Sequence, residues 1–174
     1  MLPKGMGQPV QSGQRDHWLR LDDTALLAQC DLARFRASGP GGQRRNKVET
    51  GVRLMHRPSG LSAQAAEGRS PEGNRSVALG RLRLRMALEL REAVDPTAPA
   101  LAPEFVAQRG PGGSIAVNPR NPAYSIVIAC VLDALAAVDG RFAGAAAVLG
   151  VTSTQLRRLL EADREVWRAI SPQR

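Results

Sequence analysis

A chain of 174 residues accommodates one domain or two small ones and excludes a large multidomain enzyme. Hydrophobic residues at 43% and charged residues at 23% mark it as soluble and globular, aromatics at 3% leave the core to Leu, Val, Ile and Ala, and no apolar run approaches the ~18 residues of a membrane span. The formal charge is +8, and of the 24 basic residues only Lys4 and Lys47 are lysines. The first residues lack the apolar core of a secretory signal, and Cys30 and Cys130 are too far apart in sequence to read as a disulfide framework, so a cytoplasmic location is expected.

Residues 1–16 are rich in Gly, Gln and Pro and are expected to be disordered. Residues 18–21 suit a short strand. Asp22 is a good N-cap for a short helix over about 23–29. Residues 32–36 alternate as a half-buried strand does, and 38–43, Ser-Gly-Pro-Gly-Gly-Gln, must be a loop. Residues 48–55 alternate again and 60–65 can pair with them through a turn at Arg57-Pro58-Ser59-Gly60. Ser70-Pro71 is a natural N-cap and first-turn proline, after which Ala78, Leu82, Met86, Leu90 and Val94 recur at four-residue spacing. The alternation over 81–85 would also suit a strand, but the length of the segment decides for a helix. Residues 96–122, with several prolines, read as a linker. Beyond it, 124–138, 142–149, 153–161 and 165–170 read as helices. The expected fold class is therefore α+β: a small mixed sheet with helices over 17–95, carrying the glycine loop, followed by a small all-α module over 123–174.

The charge is concentrated. Between 34 and 57 lie Arg34, Arg36, Arg44, Arg45, Lys47, Arg53 and Arg57 against the single acidic Glu49. Such a patch is the footprint of a polyanion binder, because phosphate contacts release condensed counterions. At its centre, Gly39-Pro40-Gly41-Gly42-Gln43 combines glycines that permit close backbone approach, a proline that stiffens the entry, and one amide side chain ahead of Arg44-Arg45-Asn46-Lys47. Taken bare, such a stretch is most often a flexible turn. Exposed N–H groups beside cations could instead hold an RNA end and its reacting carbonyl.

The run from Arg36-Ala37-Ser38 through Gln43, then Asn46-Lys47, Val48-Glu49-Thr50, Val52-Arg53-Leu54 and His56 to Gly60, with Arg69-Ser70 and Asn74-Arg75 beyond, resembles the catalytic domain of bacterial class I peptide-chain release factors and of their small ribosome-rescue relatives. The resemblance covers roughly 18–93. It implies hydrolysis of the ester joining a nascent peptide to the P-site tRNA in the peptidyl transferase centre. In that family the backbone N–H of the glutamine, here Gln43, stabilises the tetrahedral oxyanion, its side chain admits water and excludes larger nucleophiles, and Gly41 and Gly42 allow the backbone shape. Arg36, Ser38, Arg44, Arg45, Asn46, Lys47, Arg53, Asn74 and Arg75 are then the RNA-binding set. The chemistry fits: His17 and His56 lie outside the loop, so no Ser/His/Asp set can form there, and positioning with oxyanion stabilisation remains. The two Cys and two His are scattered without zinc-ligand spacing and no nucleotide-binding loop is present, so no metal and no cofactor are expected. The resemblance implies a monomer that works with ribosomal RNA and peptidyl-tRNA, and a glutamine methyltransferase acting on Gln43 as a further partner.

The chain also departs from the family. Pro71 follows Arg69-Ser70 where the family often has Gln. No stretch is long enough for the stop-codon-reading domains of a full release factor, and the end of the chain lacks the basic tail of the small rescue hydrolases. The expectation is termination or ribosome rescue without codon reading. The alternative is a non-enzymatic RNA- or DNA-binding protein that uses its C-terminal module. There Ala146, Gly150, Leu156 and Leu159 fall at helix-turn-helix spacing, with Thr152 or Ser153 as cap and Thr154, Gln155, Arg157 and Arg158 facing outward. A plain helical bundle explains that spacing equally. Gly110-Pro111-Gly112-Gly113-Ser114 echoes the loop but lacks its flanks and reads as a turn.

Overall fold

The computed structural model describes residues 7–36 and 49–171. In chain order they form β1 (Gln8–Pro9), α1 (Gln14–Arg20), α2 (Asp23–Ala28), β2 (Cys30–Phe35), β3 (Gly51–His56), β4 (Ser62–Ala65), α3 (Pro71–Glu89), β5 (Leu90–Arg91), α4 (Pro103–Val106), β6 (Arg109–Gly110), a 3-10 turn (Pro111–Gly113), β7 (Ser114–Ile115), α5 (Tyr124–Ala137), α6 (Phe142–Leu149), α7 (Ser153–Glu161) and α8 (Arg164–Ile170). The fold is α+β. The chain divides into two compact units, Leu21–Met86 and the combination of Met1–Arg20 with Ala87–Arg174.

The first unit is an antiparallel meander, β2-β3-β4, with α2 before it and most of α3 after it. Asp22 caps α2 by accepting the Ala25 N–H at 2.8 Å, as its place in the sequence predicts. On β3 the period of two is plain: Val52, Leu54 and His56 are buried while Arg53 and Met55 are exposed. Val52 pairs with Ala65 of β4, and Ala65, with the Ala78, Leu82 and Met86 stripe of α3, is buried in the same unit. The β3–β4 turn closes at Gly60 (φ +69°), a left-handed position that suits glycine, with His56 N–H donating to the Leu61 carbonyl at 2.8 Å. Ser70 accepts the Gly73 N–H at 3.0 Å at the start of α3.

His56 is fully buried, with Nδ1 2.8 Å from Ser59 Oγ and Nε2 3.0 Å from Gln29 Oε1. Burial, with the nearby Arg57 charge, lowers its pKa from 6.5 to about 4. Between those two values the unfolded chain binds more protons than the folded one. Its contribution to stability is therefore complete above about pH 6.5 and is lost as pH falls toward 4. Denaturant melts at neutral pH and near about pH 5 should show the parent losing more stability than His56→Gln over that interval.

The second unit begins with the N-terminal residues. Residues 7–16, expected to be disordered, instead carry β1, paired in parallel with β5, a turn at Gly13, and the start of α1. Residues 18–20 are helical rather than extended. Arg15, Trp18 and Leu19 share the buried face of α1, a helical spacing visible only when a charged residue is counted as interior. Glu92 accepts the Gly13 and Asp16 N–H groups at 2.9 and 3.0 Å, which satisfies the first turn of α1 from a distant position. The expected helix to residue 94 ends at Glu89. There Leu90-Arg91 is taken up by β1, and the Arg91 guanidinium turns back onto the Ala87 and Leu88 carbonyls, supplying the terminal carbonyls of α3 with donors.

The expected linker over 96–122 also carries structure. Phe105 of α4 and Ile115 of β7 are buried anchors, Arg20 binds Glu104 through two bonds of 2.7 and 2.9 Å, and β6 and β7 flank the expected turn, with Gly112 and Gly113 at φ +68° and +73°. Helix α5 is buried from Tyr124 through Leu135 and forms the centre of the unit. Tyr124 Oη donates to Asp163 Oδ2 at 2.8 Å, while Asp163 Oδ1 caps α8, so one carboxylate joins two helices. Beneath α5 lies a buried ionic cluster. Asp133 accepts from Arg15 at 2.8 and 2.7 Å, from Arg91 at 3.3 Å and from the Glu92 N–H at 3.1 Å.

Candidate functional site

The sheet register decides where the Gly41-Gly42-Gln43 segment is rooted. Leu32 faces Leu54, Arg34 faces Val52 and Phe35 faces Gly51. The chain therefore leaves β2 and re-enters β3 at directly paired positions. Residues 37–48, which include Ser38, Gly41, Gly42, Gln43, Arg44, Arg45, Asn46 and Lys47, lie outside the described residues. What is described is the frame from which they spring.

That frame has four parts. Phe35 lies across Gly51 so closely that a Cβ there would stand 2.8 Å from both its ring and its carbonyl oxygen, so the residue opening β3 must be glycine or displace the ring. Arg53, two residues on and on the same exposed face, sits with its guanidinium 5.8 Å from the Phe35 ring centroid. It also donates from Nε and Nη2 to Gln64 Oε1 at 3.1 and 3.0 Å. Arg36 and Glu49, one on each root, form an exposed ion pair at 3.4 Å, a contact that fixes little by itself in water. The fourth part is buried: Asn74 Nδ2 donates to the Thr50 carbonyl at 2.7 Å and to the Gly68 carbonyl at 3.1 Å, while its Oδ1 accepts the Gly68 N–H at 2.8 Å.

Of the predicted RNA-binding residues that are described, Arg36 and Arg53 lie at the roots and are exposed, and Arg75 is exposed on the first turns of α3. Asn74 is 1% exposed, and both of its amide hydrogens and its oxygen are engaged within the unit. All three bonds are to backbone groups of Thr50 and Gly68. Sequence reasoning missed Phe35, Gly51 and Gly68 as parts of the frame. An aromatic residue closing one strand and a glycine opening the next would have been the signal, once the register was fixed. Arg81 adds a further brace: it donates to the Gln64 carbonyl at 2.8 Å and to Glu67 at 2.6 Å, and that hydrogen bond holds the Glu67 carboxyl below the usual carboxylate range. Among the described residues no group of three His, Cys, Asp or Glu side chains could hold a metal ion, and no helix is long and apolar enough to cross a membrane.

The RF-1 domain family model matches residues 27–113, from within α2 to the 3-10 turn. The chain belongs to the RF-1 domain family. It is 54% identical over 52 residues to peptide chain release factor 2 of Variovorax paradoxus, a match covering 30% of this chain and 14% of that protein. It is 47% identical over 62 residues to peptide chain release factor 2 of an Acidovorax species, covering 35% and 17%, and 44% identical over 59 residues to peptide chain release factor 1 of Verminephrobacter eiseniae, covering 34% and 16%. The chain thus spans only about a sixth of the length of the curated relatives it matches. In this RF-1 chain the family match takes in the whole β2–β3–β4 sheet and continues past α3 into the second unit.

In the second unit, α6 and α7 have the expected bounds and Gly150 lies between them. Gly150 is left-handed (φ +64°), Thr152 accepts the Gln155 N–H at 3.2 Å, and Ala146, Leu156 and Leu159 are buried. Arg157, expected to face a ligand, is engaged instead. Its guanidinium lies 5.1 Å from the Phe142 ring centroid and 5.8 Å from that of Trp167, and it pairs with Glu161 at 3.4 Å. Thr154 and Arg158 remain exposed on α7.

Proposed function

We propose that this protein is a ribosome-dependent peptidyl-tRNA hydrolase of the release-factor type, acting in termination or ribosome rescue without reading a stop codon. The observation that carries this reading is that Gly41-Gly42-Gln43 and its basic flank fall inside the RF-1 match, in a connection whose two roots the sheet returns to paired positions. Catalysis then rests on placement. The Gln43 N–H donates to the developing oxyanion, its side chain selects water, and ribosomal RNA completes the site. Arg36, Arg53 and Arg75, with Ser38, Arg44, Arg45, Asn46 and Lys47, meet rRNA or tRNA phosphates, in line with the charge concentrated between 34 and 57. Gln43 is also the natural target of a glutamine methyltransferase.

The test is release of labelled formyl-methionine from ribosomal complexes whose A site is empty or holds a sense or a stop codon. Release that is equal with and without a stop codon is expected. Release only on a stop codon overturns the codon-independent part, and no release from any complex overturns the whole reading. A second reading, nucleic-acid recognition by the helical unit without hydrolysis, is favoured by the α6–Gly150–α7 geometry and exposed Arg158. It predicts that Arg158→Glu weakens ribosome or nucleic-acid binding with a reduced salt slope, and that the parent releases nothing.

A further inference from the structure

We propose that Asn74 is a positioning residue for the reaction rather than an RNA contact: it anchors the downstream root of the Gly41-Gly42-Gln43 segment by clasping the Thr50 carbonyl to the start of α3. The inference rests on the hydrolase reading above.

Thr50 lies two residues beyond the end of the 37–48 stretch and one before β3. Its carbonyl is the acceptor of the shortest of the three Asn74 bonds, at 2.7 Å. The other two bonds close on Gly68, which joins β4 to α3, so a single side chain ties the return limb of the β2–β3 connection to the β4–α3 connection. The clasp is tight on the far side too. A Cβ on Gly68 would stand 2.9 Å from Asn74 Oδ1, so glycine there lets the amide approach. Asn74 is itself 1% exposed and offers both donors and its acceptor inward, which leaves nothing for a phosphate or base. The upstream root has a different restraint, Phe35 against Gly51. The Phe35–Gly51 contact ties the two roots to each other, whereas the buried polar clasp ties the downstream root to α3. A catalyst that works by placing one N–H against an oxyanion is sensitive to displacements of the order of 1 Å, so loss of the clasp acts on the chemical step.

Three proteins decide the matter in the release assay, with saturation curves in ribosomal complex: the parent, Asn74→Ala and Asn74→Asp. Asn74→Ala is expected to lower kcat about 10- to 100-fold while KM stays within about twofold. Asn74→Asp keeps the size and the acceptor for the Gly68 N–H but turns a carboxylate toward two carbonyl oxygens. Those neighbours and burial favour its protonated form, whose O–H restores a donor to Thr50. Its kcat, taken relative to the parent at each pH, is therefore expected to rise as pH falls while circular dichroism shows both proteins fully folded at every pH, which separates positioning from general loosening of the fold. A raised KM with parental kcat makes Asn74 a binding contact and overturns the inference. So does a parental kcat in Asn74→Ala, or an Asn74→Asp ratio that is flat in pH. An active parent confines each of those failures to the role of Asn74, whereas a parent inactive on every ribosomal complex overturns the hydrolase reading and this inference together.

Discussion

Gln43→Pro is expected to slow peptide release by about 100- to 1,000-fold, while Gln43→Ala slows it less and admits nucleophiles other than water. The contrast separates two parts of one residue. On the proposed reading the backbone N–H of Gln43 donates to the oxyanion, and a single donor of that kind is worth about 2.7–4 kcal/mol in a preorganised site. Proline removes that N–H outright, whereas alanine keeps it. The Gln43 side chain instead discriminates among nucleophiles, so its loss is read in the product: added hydroxylamine or short alcohols should compete with water for the ester in Gln43→Ala and not in the parent. Equal rates for the parent and Gln43→Pro would remove the N–H from the mechanism. Neither change replaces a residue of the Asn74 clasp or of the Phe35–Gly51 contact, so thermal melting of both variants should match the parent.

Local signals in the sequence were read where the physics is local. Asp22 before an apolar turn, the period of two along β3, the turn ending at Gly60 and the Ala78–Leu82–Met86 stripe each encode their element within a few residues, and each is found in place. The helical module was legible for the same reason: α6 and α7 have the expected bounds, and Gly150 is the left-handed residue between them. What escaped depends on partners far along the chain. Residues up to 16 read as disordered and 18–21 as a strand until Arg15 finds Asp133, 118 positions away, and Glu92 reaches back to Gly13 and Asp16. The end of α3 escaped likewise, since Leu90 and Val94 continue the spacing of a helix that β1 and the Arg91 guanidinium terminate. In the site, the family motif points to residues by type, and type alone does not say which way the Asn74 side chain faces. A polar residue beside Arg75 reads as a surface ligand, and only the register, which brings Thr50 and Gly68 to α3, shows that its amide faces inward. Arg157 escaped for the opposite reason. It does point away from the core of α7, but Phe142 and Trp167 are there to receive it.

Asp133→Ala should be the most destabilising single change in the second unit, at about 3–5 kcal/mol, because it removes at once the carboxylate that two buried guanidinium groups share and leaves Arg15 only its bonds to Asp16 and the Leu90 carbonyl. Arg15, Arg91 and Asp133 are 1%, 5% and 3% exposed, so none can recover its lost partner from water. Burial already lowers the Arg91 pKa to about 10 even with Asp133 in place, a sign of how far the cluster has left solvent. Arg15→Met should cost less than Asp133→Ala. The carboxylate then keeps Arg91 and the Glu92 N–H, and the aliphatic replacement retains much of the packing. Against a total stability of about 5–15 kcal/mol, the larger loss would unfold a substantial fraction of the chain at growth temperature. The double variant Arg15→Met with Asp133→Ala gives the coupling. If the pair merely offsets its own desolvation, the double variant should be less unstable than the sum of the two single changes by about 1 kcal/mol or more. Denaturant melts of the four proteins measure all of these quantities. Strict additivity would mean that the short Arg15–Asp133 bonds contribute nothing together that they do not contribute apart. The N-terminal residues would then be held by β1, Glu92, the Arg20–Glu104 pair and the packing of Trp18 and Leu19.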